Sequence, residues 1–444
     1  MENKIKQVRV ESIDIAGNGI AHIEGKAIFI HDVLPDELVE IEIYQDKKNF
    51  ARANLVKVIE KSNLRVEPVC PHYGVCGGCS LQHLDYAAQI ESKQKVLIDN
   101  LKHIGKTTAE NILSPISGSA VGYRNKARLS SRFVSKKNSV LVGFHEKASS
   151  FVAEMQQCTN LPLHISNLIM PLRQMIAKLS IYNKLPQVEV AVGNNVSVLV
   201  LRNMEALTSD DEQIIKTFVD NLAINVPIQI WLQPKGPDSC YPFYPLNMPQ
   251  LSYSLPNFKI EMPFLPTEFT QVNPEINQKM VDLAIELLDP GINDTVADFF
   301  CGIGNFTLPI ATKAKKVIGI EGSSQLVKRA LSNAEHNNLS HKTSYSVANL
   351  FKINTQWLDN LGKIDKWLID PPRDGAIELI KAITPANAPK RIVYVSCNPA
   401  TLARDSAILV NVHNYKLKHA GVMNMFPHTS HVESIAVFDM DSAI

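Results

Sequence analysis

Residues 296–311 read VADFFCGIGNFTLPIA. An apolar run surrounds Asp298, and Gly302 and Gly304 interrupt it before a helical pattern begins. This predicts a buried strand, a glycine-rich turn and a helix. With no side chains at 302 and 304, a ligand can approach the backbone closely. The helix start then offers free N–H groups to a carboxylate or phosphate. The next apolar run, KKVIGIE, ends at Glu321, nineteen residues after Gly302. In doubly wound sheets an acid at that place bonds ribose hydroxyls.

Outward from this loop, strand and helix patterns alternate. The strands are TVADFF, KVIGI, TSYSVA, DKWLID, RIVYVS, KLKHAGV and VESIAVFD. The helix before them, NPEINQKMVDLAIELLD, has Asn273 to cap it and Pro274 in its first turn. This alternation predicts an α/β doubly wound parallel sheet over 263–444. A third glycine, which a dinucleotide fingerprint requires, is replaced by Thr307. The loop, Glu321 and the later DPPR together match the S-adenosylmethionine (SAM) fold of methyltransferases instead.

Upstream the pattern differs. Residues 1–62 hold five short runs rich in Val and Ile, with turns at Gly17-Asn18-Gly19 and Pro35-Asp36. They predict an OB-like β-barrel of a kind that often holds nucleic acid. Residues 63–262 predict a central α+β domain of strands with one helix, NLIMPLRQMIAKL. An earlier helix within 85–115 has Ile90, Leu97, Leu101 and Ile104 at helical spacing and Gly105 to stop it. It is expected to pack on the domain of 263–444.

The 444 residues are 45% hydrophobic and 20% charged, with formal net charge +1. That composition is globular, and it excludes a protein basic overall. The N-terminus is charged and lacks an apolar signal core. No apolar run reaches the roughly 18 residues of a membrane span. A cytoplasmic protein without membrane contact is expected, acting as a monomer with no obligate protein partner.

Seven cysteines are too few and odd in number for a disulfide framework. Three of them, Cys70, Cys76 and Cys79, crowd one short segment, and Cys158 lies far downstream. Four thiolates can hold a [4Fe–4S] cluster or a tetrahedral zinc ion. The spacing, with one CxxC and two lone cysteines, is loose and suits the larger cluster. His72 and His83 keep zinc open, and redox thiols are a third option. Cys397 stands just past RIVYVS, at the strand edge where ligands of such sheets bind. Asp370 and Arg373 end the neighbouring strand.

Several stretches together resemble the RNA (uracil-5-)-methyltransferase family. They are FTQVN (269–273), DFFCGIGNF (298–306), LIDPPRDG (368–375), VSCNPATLARD (395–405) and HVESIAVF (431–438), with IGIEGSSQLVKRALSNAEHNN (318–338) and VANL (347–350) between them. The resemblance implies Cys397 as the nucleophile and Glu433 as the base that removes a proton. It implies SAM contacts at Gln271, Phe300, Asn305, Glu321, Asn349 and Asp370. Cys301 is the rival thiol and reads as packing. One branch of the family has the same four-cysteine pattern and binds a [4Fe–4S] cluster. The first 60 residues look like the TRAM domain found with it in the branch acting on 23S ribosomal RNA. The resemblance therefore implies C5-methylation of one 23S uridine. Alternatives are a transfer-RNA or another 23S uridine, or an iron–sulfur RNA-binding protein without activity.

RNA also needs a surface. GYRNKARLSSRF (122–133) places Arg124, Lys126, Arg128 and Arg132 among Tyr123 and Phe133. Interleaved cations and rings can contact phosphates and stack on bases. Alternation along a strand would line up Arg124, Lys126, Arg128 and Ser130. Lys47, Lys48 and Arg52 in the barrel are smaller candidates.

Overall fold

A computed structural model describes residues 5–14, 16–222 and 226–441. The ends of the first and last predicted domains, at 1–4 and 442–444, and Ile15 of the first predicted strand lie outside the described residues.

The catalytic sheet has eight strands. Its order is Thr343–Val347, Lys316–Glu321, Thr295–Phe299, Lys366–Ile369, Arg391–Ser396, Glu433–Met440, Tyr415–Met423 and Asn111–Ile112. The first five run parallel. All seven strands expected here form, but the expectation of a wholly parallel sheet is corrected. Glu433–Met440 runs antiparallel to both of its neighbours. Residues 424–432 join the last two strands as a loop with no crossover helix, and such a connection returns the chain antiparallel.

Alternate side chains of the parallel strands enter two cores, because successive residues face opposite sides. Val296, Leu368 and Val393 pack with helix Pro274–Leu288. Phe299, Trp367 and Tyr394 pack with helices Tyr86–His103 and Pro399–Asn411. Helix Tyr86–His103 is capped by Asp85 and buries Leu97 and Leu101. Residues 86–116 thus form part of the catalytic layer.

The central sheet has six strands, ordered Tyr241–Tyr244, Ile228–Leu232, Ser197–Arg202, Gln187–Val192, Lys126–Val134 and Ser139–Gly143. One face packs on helix Ile169–Ile176 and on a second helix, Ser209–Asp220. The single helix expected here is therefore joined by this one and by the one-turn helix Leu163–Ser166. Thr208 and Asp211 form a reciprocal capping box that starts the second. The other face, through Ala191, Val198 and Val200, joins the catalytic core. So does the hairpin of Ser252–Leu255 and Ile260–Pro263.

The N-terminal sheet is ordered Ile5–Arg9, Leu38–Asp46, Phe50–Glu60, Lys26–Ile30, Gly19–Ile23 and Ser12–Ile13. It encloses a core of Val8, Ile28, Ile30, Val39 and Ile41. The first of the five predicted strands is divided in two. Among the described residues no helix is long and apolar enough to cross a membrane.

Candidate active site and four-cysteine site

The parallel strands all end at one sheet edge, and a cavity of about 800 Å³ opens there. Gln271, Phe300, Asn305, Glu321, Asn349, Asp370, Cys397 and Glu433 all line it. The register explains the last two. Ser396 pairs with Ser434, so Cys397 leaves its strand where Glu433 begins the next.

Backbone geometry builds the cofactor end. Phe300, Gly302 and Gly304 all have left-handed φ values, of 64°, 55° and 97°. The turn thus folds back, and Gly302 N donates to Glu321 Oε2 at 3.2 Å while Ser323 N donates to Oε1 at 2.9 Å. Glu321 is held for a ligand beside the glycines. The Phe300 and Phe351 rings lie 5.7 Å apart near Asn349. Asn349 Oδ1 accepts from Phe351 N at 3.0 Å. Asn305 is oriented by two residues that sequence reasoning missed. Tyr253 OH donates to its Oδ1 at 2.8 Å, and Asn277 exchanges amide hydrogen bonds with it at 2.9 and 3.1 Å. Nothing in the local sequence pairs residues so far apart.

The cavity is acidic. Burial pushes the Asp370 carboxyl up to about 7. Asp298, buried outside the cavity lining, is pushed up to about 8 by burial, reinforced by Asp370 and Glu321, although Thr307 donates a hydrogen bond to it. Burial, then Asp370, raises Glu433 well above the carboxylate range. A cationic ligand favours the charged carboxylates and would relieve this repulsion. SAM, with its sulfonium and ammonium, fits that lining.

Cys397 is partly exposed in this cavity. Burial, then Glu433 and Asp370, pushes its thiol up to about 11, while the Arg373 guanidinium works the other way. Arg373 Nη2 lies 3.4 Å from His431 Nδ1, and its carbonyl accepts from Asn398 Nδ2 at 3.0 Å. Burial, then Arg373, lowers the His431 pKa and favours the neutral imidazole. The HVES stretch contained His431, and its adjacency to Glu433 was the available signal. Cys301 is 4% exposed, with its sulfur against the strand at Gly319.

The four cysteines of the proposed metal set, Cys70, Cys76, Cys79 and Cys158, line a second cavity of about 390 Å³. Cys79 Sγ accepts from Gln82 Nε2 and Asn160 Nδ2, both at 3.2 Å. Cys76 Sγ accepts from Gly78 N at 3.4 Å. Burial, opposed by the Gly78 N–H and reinforced by Cys79 and Cys70, pushes Cys76 up to about 11. Burial likewise pushes Cys158 up to about 12, against the N–H groups of Asn160 and Leu161. Among the described residues no three His, Cys, Asp or Glu side chains converge on one metal ion. His431 and Arg124 line both cavities and stand between them.

The expected row of RNA-contacting cations is not brought together. Arg124 faces the active-site cavity. Lys126 donates to the Glu268 carbonyl and lies over the Phe264 ring at 5.8 Å. Burial pushes it down to about 8. Phe133 lies on the opposite face of its strand, edge-on to Tyr182 at 4.9 Å in the central core. Arg128 and Arg132 remain exposed, with Arg128 paired to Glu189 at 2.9 Å.

Residues 255–440 match the tRNA (Uracil-5-)-methyltransferase family, and residues 1–56 match the TRAM domain. The fold is similar to that of the Pyrococcus abyssi tRNA (uracil-54, C5)-methyltransferase, solved with S-adenosyl-L-homocysteine, at TM-score 0.73 and 24% identity over 98% of this chain and 100% of that one. A 23S rRNA (uracil(1939)-C(5))-methyltransferase RlmD from Nitrosospira multiformis is 52% identical over 97% of this chain and 98% of its own. That of Chromobacterium violaceum is 57% identical over 97% of this chain and 84% of its own. By identity above one half over 97% of its length, the chain belongs to the RlmD family of 23S rRNA (uracil(1939)-C(5))-methyltransferases.

Proposed function

We propose that this chain methylates C5 of uridine 1939 in 23S ribosomal RNA, using SAM as methyl donor. The observation that carries the reading is the meeting of Cys397 and Glu433 in the cavity that also holds Gln271, Phe300, Asn305, Glu321, Asn349 and Asp370. Those six residues would hold the cofactor, which supplies an electrophilic methyl group.

The chain's own residues do the rest. The Cys397 thiolate adds to C6 of the uracil, forming a C–S bond and an enolate nucleophilic at C5. Once C5 has taken the methyl, Glu433 removes the C5 proton. The C6–S bond then breaks and Cys397 leaves as thiolate. Covalent addition splits one hard step into easier ones. Glu433 accepts the C5 proton only as the carboxylate, the form that a nearby cation favours. A base in structured RNA must be unstacked first, at a few kcal/mol, which the other domains' RNA contacts offset.

On this reading residues 1–62 and 63–262, apart from 86–116 in the catalytic layer, grip RNA, and 263–444 perform the chemistry, in a cytoplasmic monomer. Arg124, Arg128 and Arg132 are the RNA contacts of the central domain. The four cysteines hold a [4Fe–4S] cluster. Four thiols around one cavity, three of them buried, with N–H donors on two sulfurs, support it.

The test uses methyl-labelled SAM and 23S rRNA lacking the modification. Label should appear as 5-methyluridine at position 1939 and vanish with Cys397→Ala. Label at another uridine, or none with SAM bound, would defeat the assignment. Iron and sulfide analysis of anaerobically purified protein should find about four of each per chain.

A further inference from the structure

The loop 424–432 brings His431 to the cavity and delivers Glu433 to its strand. At its centre His428 has a left-handed φ of 65°, which a non-glycine residue keeps only when its surroundings over-determine it. They do. His428 N donates to Gln89 Oε1 at 2.8 Å, and His428 O accepts from Ser80 N and Leu81 N, both at 3.0 Å. Gln89 Nε2 lies 3.3 Å from His428 Nδ1 and donates to Leu84 O at 2.8 Å. On either side, Tyr123 OH donates to Pro427 O at 3.0 Å and Ser430 N to Ser80 Oγ at 3.1 Å. Gln89 is 1% exposed. Ser80 and Leu81 directly follow Cys79. Segments more than three hundred residues apart thus converge on one backbone pivot, five residues before Glu433.

We propose that Gln89, acting with the Ser80–Leu81 backbone, is a positioning residue. It pins His428, so that the cysteine segment sets where Glu433 and His431 stand against Cys397. The inference rests on the reading of Cys397 and Glu433 given above. Its weight falls on the last step, in which the C5–H bond breaks toward Glu433, the C6–S bond breaks and the thiolate departs. A displaced base leaves methylated RNA attached to Cys397.

The experiment follows turnover and, on denaturing gels, covalent RNA–protein adduct. It compares the full chain with Gln89→Met, Gln89→Glu, Ser80→Ala and Glu433→Gln. With Gln89→Met, turnover should fall on the order of 10- to 100-fold, as for a displacement of about an ångström. Adduct should rise, with SAM affinity and iron content unchanged. Gln89→Glu keeps the acceptor for His428 N and should recover most of the rate. If Gln89→Met fails to fold, Ser80→Ala should show the same adduct excess more weakly. Trapping by Glu433→Gln with wild-type behaviour of Gln89→Met and Ser80→Ala overturns the inference alone. So does loss of turnover without trapped adduct. No trapping by Glu433→Gln defeats the reading of Glu433, and the inference with it.

Discussion

At the scale of single residues, the free active site is set against its own nucleophile. Burial and two carboxylates hold the Cys397 thiol near 11, so little thiolate exists at neutral pH. A cation nearby favours thiolate. The pH profile of Cys397 alkylation should therefore move down by on the order of one pH unit with SAM bound. Neutral S-adenosylhomocysteine should move it much less, and equal profiles would remove the electrostatic account. Cys397→Ala should lower turnover by at least about 10⁴-fold, as removal of a covalent nucleophile does. The roles proposed for Cys397 and Glu433 follow from the family resemblance, each of whose motifs is contiguous in the chain. The partners that aim Asn305 were not, since Tyr253 and Asn277 belong to other elements.

At the scale of elements, the strands of the catalytic sheet were legible because strands buried on both faces read as unbroken apolar runs. Helix Ser209–Asp220 was not, because TSDDEQIIKTFVD is mostly polar and buries little besides Ile215 and Asp211. Strand Lys126–Val134 shows the limit of alternation. It correctly separates two faces, yet Lys126 bends into a protein contact and Phe133 goes to the core. The strand Lys316–Glu321 has room only for glycine at 319, where a Cβ would lie 2.6 Å from the Tyr345 ring and 3.0 Å from Cys301 Sγ. Gly319→Ala should destabilise the protein by about 1–3 kcal/mol, the usual range for overpacking. Thermal or urea unfolding checks this, and an unchanged midpoint would mean that the ring moves freely.

At the scale of the whole molecule, a buried ion pair ties the N-terminal sheet to the cysteine segment. Arg65 reaches both oxygens of Glu37, at 2.5 and 2.7 Å, and the carbonyl of Asp32 at 2.8 Å. Lys147 of the central domain pairs with Asp32 at 2.6 Å. Burial opposes ionisation of Glu37, but Arg65 and the Leu34 N–H outweigh it and hold the carboxyl below its ordinary 4.5. The pair's stabilisation is thus present above that ordinary value and is lost as pH falls through the lower folded one. Arg65→Ala leaves a buried carboxylate without its cation and should cost about 3–5 kcal/mol. The measurement is unfolding at pH 7, and a loss under about 1 kcal/mol would place the pair among solvated ones.

The sequence by itself determined the strand runs of the catalytic sheet and the glycine-rich loop with its acid, Glu321, which rest on residues close together in the chain, where periodicity and spacing act. The roles proposed for Cys397, Glu433 and the four cysteines come from the family resemblance. Only the tertiary structure decided that the last strands run antiparallel and that residues 86–116 join the catalytic layer. It also decided that Arg124 and His431 separate the two cavities. These depend on contacts between residues hundreds of positions apart, and packing, not local pattern, selects which of them meet.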